Sequence, residues 1–329
     1  MGKIQYYLGR VVVTILLILG IMTFLFFAFR LMPGDYATLL AGEGADEETI
    51  REIRDNWGLD EPIYVQYFSY ITNMLTGDAG YSYRTETPVW DTVSVALMNS
   101  LILALPALLL AFLIGTLYGA LMGTVPGSRF EQFGIFPPTI LGTTPDFFLG
   151  ILLLLLLSSW LNVFPSGGMA SIETYRTAES HWELYLTRDF AMHYILPFAT
   201  IVLKYLYYPT LIMRSSVVEV RGQEFANYQR IVGIKRSIRF RDIMSHASLP
   251  VITVLPAVTA TSISAQVLIE IVFNWPGIGK LLFDSVLMRD TPVIQFIFLM
   301  IAIWIIVGNL LVDIAYTLID PRITYDEDS

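Results

Sequence analysis

The stretch VVVTILLILGIMTFLFFAF, Val11 to Phe29, carries no charged residue. A helix rises ~1.5 Å per residue, so about 20 apolar residues cross the ~30 Å hydrocarbon core of a bilayer. This stretch is long enough to do so. It exceeds the apolar region of a secretory signal, and Arg30-Leu-Met-Pro-Gly-Asp35 follows it instead of a small-residue cleavage site. It is therefore expected to be a retained anchor.

Five further stretches are long enough as well: Leu97–Val125, Gly134–Trp160 interrupted by Asp146, Phe190–Met213 interrupted by Lys204, Ala247–Ile269 and Pro292–Val312. Buried helices of a soluble domain mimic one or two such segments, but not six. The fold class expected is an all-α integral membrane protein with six transmembrane helices. Composition agrees. Hydrophobic residues make up 55% of the 329 and charged residues 15%, with a mean hydropathy of +0.60, whereas soluble domains carry about 25% charge. Cysteine is absent, which excludes disulfide frameworks, thiol nucleophiles and zinc–thiolate or iron–sulfur sites. His181, His193 and His246 form no metal-binding spacing.

Orientation follows from the basic residues near the span ends. Arg214, Arg221, Arg230, Lys235, Arg236, Arg239 and Arg241 crowd the connection between the fourth and fifth spans, the densest basic segment of the chain. Placing it in the cytoplasm puts both termini there too. Residues 31–95, with twelve acids and three arginines, then face outward. Within them, Asp46-Glu-Glu-Thr-Ile-Arg-Glu-Ile-Arg54 has acids early and arginines late, as a helix prefers. Ile63–Leu75 is uncharged and aromatic and is expected to pack as a second helix. Four segments result: the N-terminus with the first span (1–30), a helical external subdomain (31–95), a five-helix core (96–318) holding a cytoplasmic loop at 214–247, and a cytoplasmic tail (319–329).

Gln223–Ile231 reads as a short amphipathic helix stopped by Gly233. Phe225, Tyr228 and Val232 fall on or near one face. Spacing alone admits two readings, a helix docked in another protein's groove or one lying on lipid. Pro276-Gly-Ile-Gly-Lys280 invites a phosphate-loop reading. It fails, because Asn274 and Leu281 occupy the positions that need Gly and Ser/Thr. A tight turn into a short helix, Ile278–Met288, fits better. Ionisable groups at membrane depth are functional candidates by default. Glu270 lies about 30 Å along a helix from Pro250 and is expected near the outer end. Asp146 follows Pro145 and is placed as a cap on a broken helix. Asp313 is expected near the cytoplasmic end, and Lys204 has no evident partner. Glu270, Asp146 and Asp313 are the gate or pathway candidates, with an ion pair or cap as the plainer reading of each.

Several blocks in this order resemble the B-type permease of the oligopeptide/dipeptide ABC importer family. They are Arg30-Leu-Met-Pro-Gly-Asp35, Gly58–Tyr67, Gly77–Tyr83, Glu224-Phe225 with Gly233 and Leu249-Pro250, Glu270–Lys280 with Arg289-Asp290, and Asn309–Asp313 with Asp320-Pro-Arg322. The resemblance covers nearly the whole chain. It implies that 214–247 is an EAA-like loop whose Glu219, Glu224, Phe225, Ala226, Asn227, Tyr228, Gln229, Arg230 and Gly233 engage an ATPase. It also implies a second permease subunit, two ATPase subunits carrying Mg-ATP, an external solute-binding protein and surrounding membrane lipid in a prokaryotic cell membrane. Neither nucleic acid nor a catalytic residue, cofactor or metal on this chain is expected. Di- or oligopeptides are the implied solute. The competing reading is an ion-coupled secondary transporter that works without an ATPase.

Overall fold

The computed structural model describes residues 3–31, 37–38, 45–82 and 84–319, with the side chains of 3–6, 56, 260, 263–264, 311–313 and 315–319 left aside. The described residues are helical and contain no strand, only an isolated bridge between Tyr81 and Pro88. Four helical stretches are long and apolar enough to cross a membrane: Tyr7–Arg30, Val89–Gly123, Arg188–Arg221 and Thr291–Leu310. Two bent helix pairs bring the number to six if each pair is one span. The chain folds as two compact units, one made of 1–98 with 281–329 and the other of 99–280.

In the first unit, α1 (Lys3–Arg30) packs along the C-terminal helix. The helix α2 (Glu47–Asn56) starts where expected, with Asp46 accepting the Thr49 N–H at 2.8 Å. Such a cap contributes about 1 kcal/mol. α3 (Ile63–Thr76) lies on α1 through its aromatic residues. The Phe26 ring meets Tyr67 edge-on at 5.4 Å, and the Thr23 and Tyr67 hydroxyls hydrogen-bond at 2.8 Å.

The boundary between the units falls inside α4 (Val89–Gly123). In the second unit follow α5 (Arg129–Gly134), α6 (Phe136–Thr143) and α7 (Asp146–Leu153), which continues as a π-helical turn, Leu154–Trp160. The pair 129–143 and 146–160 is bent by 104°. The third apolar stretch is thus no straight rod. Pro145 denies the chain an amide hydrogen and disfavours helix at Thr144, which takes an extended ψ of 138°. Short helices α8 (Ile172–Thr177) and α9 (His181–Tyr185) precede α10 (Arg188–Tyr205) and α11 (Tyr207–Arg221). Then come α12 (Glu224–Ile231), α13 (Arg236–Ala247), α14 (Leu249–Val272) and α15 (Ile278–Met288). The last helix, α16 (Thr291–Ile319), is the partner of α1.

The core of the second unit is apolar and gathers Leu103, Leu196, Met213, Ile269, Phe273 and Trp275. One seam lacks side chains on its α4 side. Gly115, Gly119 and Gly123, four apart on α4, face α11. A Cβ on Gly115 would lie 2.5 Å from the Leu206 carbonyl oxygen and one on Gly123 2.7 Å from Val217 Cβ. One on Gly119 would run into the Thr210 carbonyl. Small residues let backbones approach in this way inside membranes.

Candidate functional site

Three arrangements of the second unit hold the sequence-selected residues. The first is the surface at the end of α11. Glu219 is exposed there, and α12 follows directly. The helix ends as expected, because Gly233 takes φ +77, a left-handed conformation that glycine adopts without a Cβ penalty. Ile234 then donates its N–H to the Gln229 carbonyl at 3.1 Å, closing the terminus.

The two faces of α12 differ. Ala226 is buried, and the Phe225 ring turns inward, 4.9 Å from the His246 ring on α13. Gln229 Nε2 donates to Asp242 Oδ2 at 2.9 Å. Phe225 therefore anchors the helix rather than sharing the outward face with Tyr228 and Val232. The outward apolar residues are Tyr228, Ile231 and Val232, at 66%, 84% and 57% exposure. Glu224, Asn227 and Arg230 are also exposed and surround them. Beneath the helix, Arg221 donates to the carbonyls of Gly123, at 3.0 Å, and Thr124, closing the end of α4. Arg214 pairs with Glu131, whose Oε2 accepts the Gly127 N–H.

The second arrangement centres on Glu270, which is 0% exposed. Its Oε1 accepts the Ser100 hydroxyl at 2.6 Å, and its Oε2 accepts the N–H groups of Gly279 at 2.8 Å and Lys280 at 3.0 Å, at the start of α15. Ser100 Oγ in turn accepts the Ile278 N–H at 2.8 Å. The carboxylate thus faces a helix N-terminus, whose free amides and dipole favour negative charge. Gly277 makes room for it, since a Cβ there would collide with the carboxyl group. Gln266 and Trp275 add bonds from their side-chain N–H groups to the Ser100 and Asn99 carbonyls at 2.9 and 3.1 Å. The result is a latch joining α4, α14 and the first turn of α15.

The third arrangement sits at the bend between α6 and α7. Lys204 Nζ donates to the carbonyls of Gly142 at 2.8 Å and Thr144 at 2.6 Å. It also lies 3.1 Å from Asp146 Oδ1. That approach is an ion pair without hydrogen-bond alignment, and Oδ1 accepts no hydrogen bond. Lys204 thus has partners, contrary to expectation. Asp146 opens α7 but caps nothing with its side chain. A broken helix inside a membrane needs its freed carbonyls satisfied by protein, and the ammonium does that here. Asp313 belongs to α16, but its side chain lies outside the described residues. Of the residues singled out in 214–247, Glu219, Glu224, Asn227, Tyr228 and Arg230 are exposed, whereas Phe225 and Ala226 face inward, and Glu270 and Asp146 sit in two separate clusters.

The family described as "Binding-protein-dependent transport system inner membrane component" matches residues 88–325, and its N-terminal companion matches residues 3–104. The chain belongs to this permease family. The oligopeptide transport system permease protein AppB of Bacillus subtilis (strain 168) is 33% identical over 323 residues, covering 97% of this permease and 99% of that relative. The glutathione transport system permease protein GsiC of Salmonella paratyphi A is 32% identical over 325 residues, covering 98% and 99%. This permease is accordingly an inner-membrane component of a transport system, with several helices apolar enough to span the membrane.

Proposed function

We propose that this permease forms half of the translocation pathway of an ATP-driven importer for di- or oligopeptides. A second permease subunit completes the pathway, and an external solute-binding protein delivers the peptide. Two ATPase subunits carry Mg-ATP and dock on the α12 surfaces. The bent pair 129–160 counts as one span and α14 as another, giving six crossings with both termini and the 214–247 loop in the cytoplasm. The observation that carries this reading is the outward face of α12. Tyr228, Ile231 and Val232 are presented together, while Phe225, Ala226 and Gln229 hold the helix from behind. A helix fixed from one side and apolar on the other suits insertion into a protein groove. The peptide class is supported by the relative named as an oligopeptide permease.

The test is a mild-detergent pull-down from the native membrane, repeated with Tyr228→Asp plus Ile231→Asp. An ATPase subunit is expected with the wild type and not with the variant. Co-purification unchanged by the variant would move the docking surface elsewhere. Solute movement by the purified chain alone along an ion gradient would replace the importer reading with a secondary transporter.

A further inference from the structure

No charged residue occurs from Pro62 to Gly77, whereas Asp60 and Glu61 precede that stretch and Asp78 follows it. The helix it forms, α3, has 14 residues and is about 21 Å long. That is too short to cross a ~30 Å hydrocarbon core. The charged flanks of α3 therefore stay on one side of the membrane.

The side chains of α3 fall into three stripes at helical spacing. Tyr67 and Tyr70 face α1, with ring centroids 5.4 and 5.5 Å from that of Phe26. Gln66, Ser69 and Asn73 form a polar stripe, and all three line the cavity between α3 and the 78–81 loop. Tyr64, Phe68, Ile71 and Leu75 form the third stripe, on the side opposite the polar one. Tyr64, Phe68 and Leu75 are each about two-thirds exposed.

What covers the apolar stripe follows from where α3 meets α1. Thr23 Oγ1 donates its hydrogen to the Leu19 carbonyl at 2.7 Å, so the Tyr67 hydroxyl donates to Thr23, at 2.8 Å. Thr23 precedes Arg30 by about 10 Å along the helix. It lies within the uncharged stretch 11–29, which is about as long as the hydrocarbon core is thick. The headgroup layer adds roughly 5–7 Å on that side. A helix resting above the headgroups could not bring a tyrosine side chain down to Thr23. Phe27 of α1 is itself exposed and stacks on Tyr67, with ring centroids 6.2 Å apart. The apolar stripe of α3 thus continues the apolar flank that a membrane-spanning α1 presents to lipid.

We propose that α3 lies within one leaflet, along the boundary between headgroups and acyl chains, and that its Tyr64, Phe68, Ile71 and Leu75 stripe binds phospholipid acyl chains. Amphipathic helices bury an apolar face ~5–10 Å into that boundary. Asp60, Glu61 and Asp78 hold both ends of α3 at the aqueous edge, and Gln66, Ser69 and Asn73 keep their polar groups turned to the cavity. On this reading α3 belongs to the membrane domain and not to an external subdomain. That the leaflet is the outer one rests on the layout proposed above; the contact with lipid does not.

The chain has no cysteine, so Phe68→Cys and Leu75→Cys can each carry a single nitrobenzoxadiazole fluorophore, with Glu61→Cys as the aqueous reference. The full-length chain is measured in phosphatidylcholine nanodiscs, one chain per disc. Emission at positions 68 and 75 is expected at shorter wavelength than at position 61. A nitroxide near the headgroup end of the lipid acyl chain should quench both labels, and more strongly than one at the far end. The reference label should be quenched much less by either. Tyr64→Cys, on the same stripe, replaces either variant if that variant aggregates. Water-like emission from the stripe would overturn the proposal. So would shifted emission that no lipid nitroxide quenches, because protein would then cover the stripe. Stronger quenching by the deep nitroxide would overturn the placement at the boundary. Neither ATPase nor solute enters the measurement, so its failure is distinct from failure of the pull-down.

Discussion

At Glu270 a carboxylate is removed from water and answered by one hydroxyl and two backbone amides at 2.6 to 3.0 Å. Each unmet buried donor costs about 1–3 kcal/mol. Glu270→Ala leaves three of them and is expected to lower the thermal midpoint of the detergent-purified chain sharply, with Glu270→Gln falling between it and the wild type. Gly277→Ala should be comparably harmful, because its methyl group collides with the carboxylate. In the Gly277→Ala/Glu270→Ala pair that collision is gone, so the loss should be smaller than the sum of the single losses, as coupled neighbours show. Additive losses would refute the contact. In the other unit, Asp290 accepts the Ser82 hydroxyl. Burial raises its carboxyl above the usual carboxylate range, and the Ser82 bond only partly opposes that. A raised folded-state value means that the contribution to stability is complete below the unfolded value of ~4 and is lost as pH climbs through the folded one. Asparagine keeps an oxygen for the Ser82 hydroxyl but carries no charge, so Asp290→Asn should melt higher than the wild type at pH 7, with the gap closing toward pH 4. A gap that does not depend on pH would rule this out.

At the scale of elements, the bend between α6 and α7 depends on Lys204, which binds two carbonyls as well as Asp146. Removing one partner of a buried pair costs about 3–5 kcal/mol. Lys204→Met should reach that range, because it strands Asp146 and both carbonyls. Asp146→Asn should cost clearly less, since the ammonium keeps its carbonyl partners. Melting curves of the two variants decide, and equal losses would count against this account. The sequence signals behind this element were uneven. Thr144-Pro145-Asp146 inside an apolar run marks a break, and the break is there. The partner of Lys204 stands some sixty residues earlier in the chain, where local periodicity cannot register it. Likewise α2, α12 and α15 were legible from caps, amphipathic spacing and glycine stops, because those signals act within a few residues. That Phe225 turns inward was not, because its neighbour His246 belongs to another helix. Ser100 escaped notice for the same reason. The latch did leave one trace, glycines seven and nine residues after Glu270.

For the whole molecule, the proposed six-crossing layout puts the acidic segment 31–95 outside and the seven basic residues of 214–246 inside. The chain has no cysteine, so single cysteines at Glu61 and Arg239 can be labelled cleanly with an impermeant maleimide. Glu61→Cys should react in intact cells, and Arg239→Cys only after lysis. Reaction of both from the same side would overturn the layout. The glycine seam between α4 and α11 has a mechanical meaning as well. Side chains at a packed interface absorb small displacements by changing rotamer, as a spring does. At Gly119 the seam has no such spring, because α4 there rests directly against the Thr210 and Arg214 backbone of α11. A push delivered through α12 into α11 would meet a stiff strut rather than a cushion, and α4 would take it up within the same stroke.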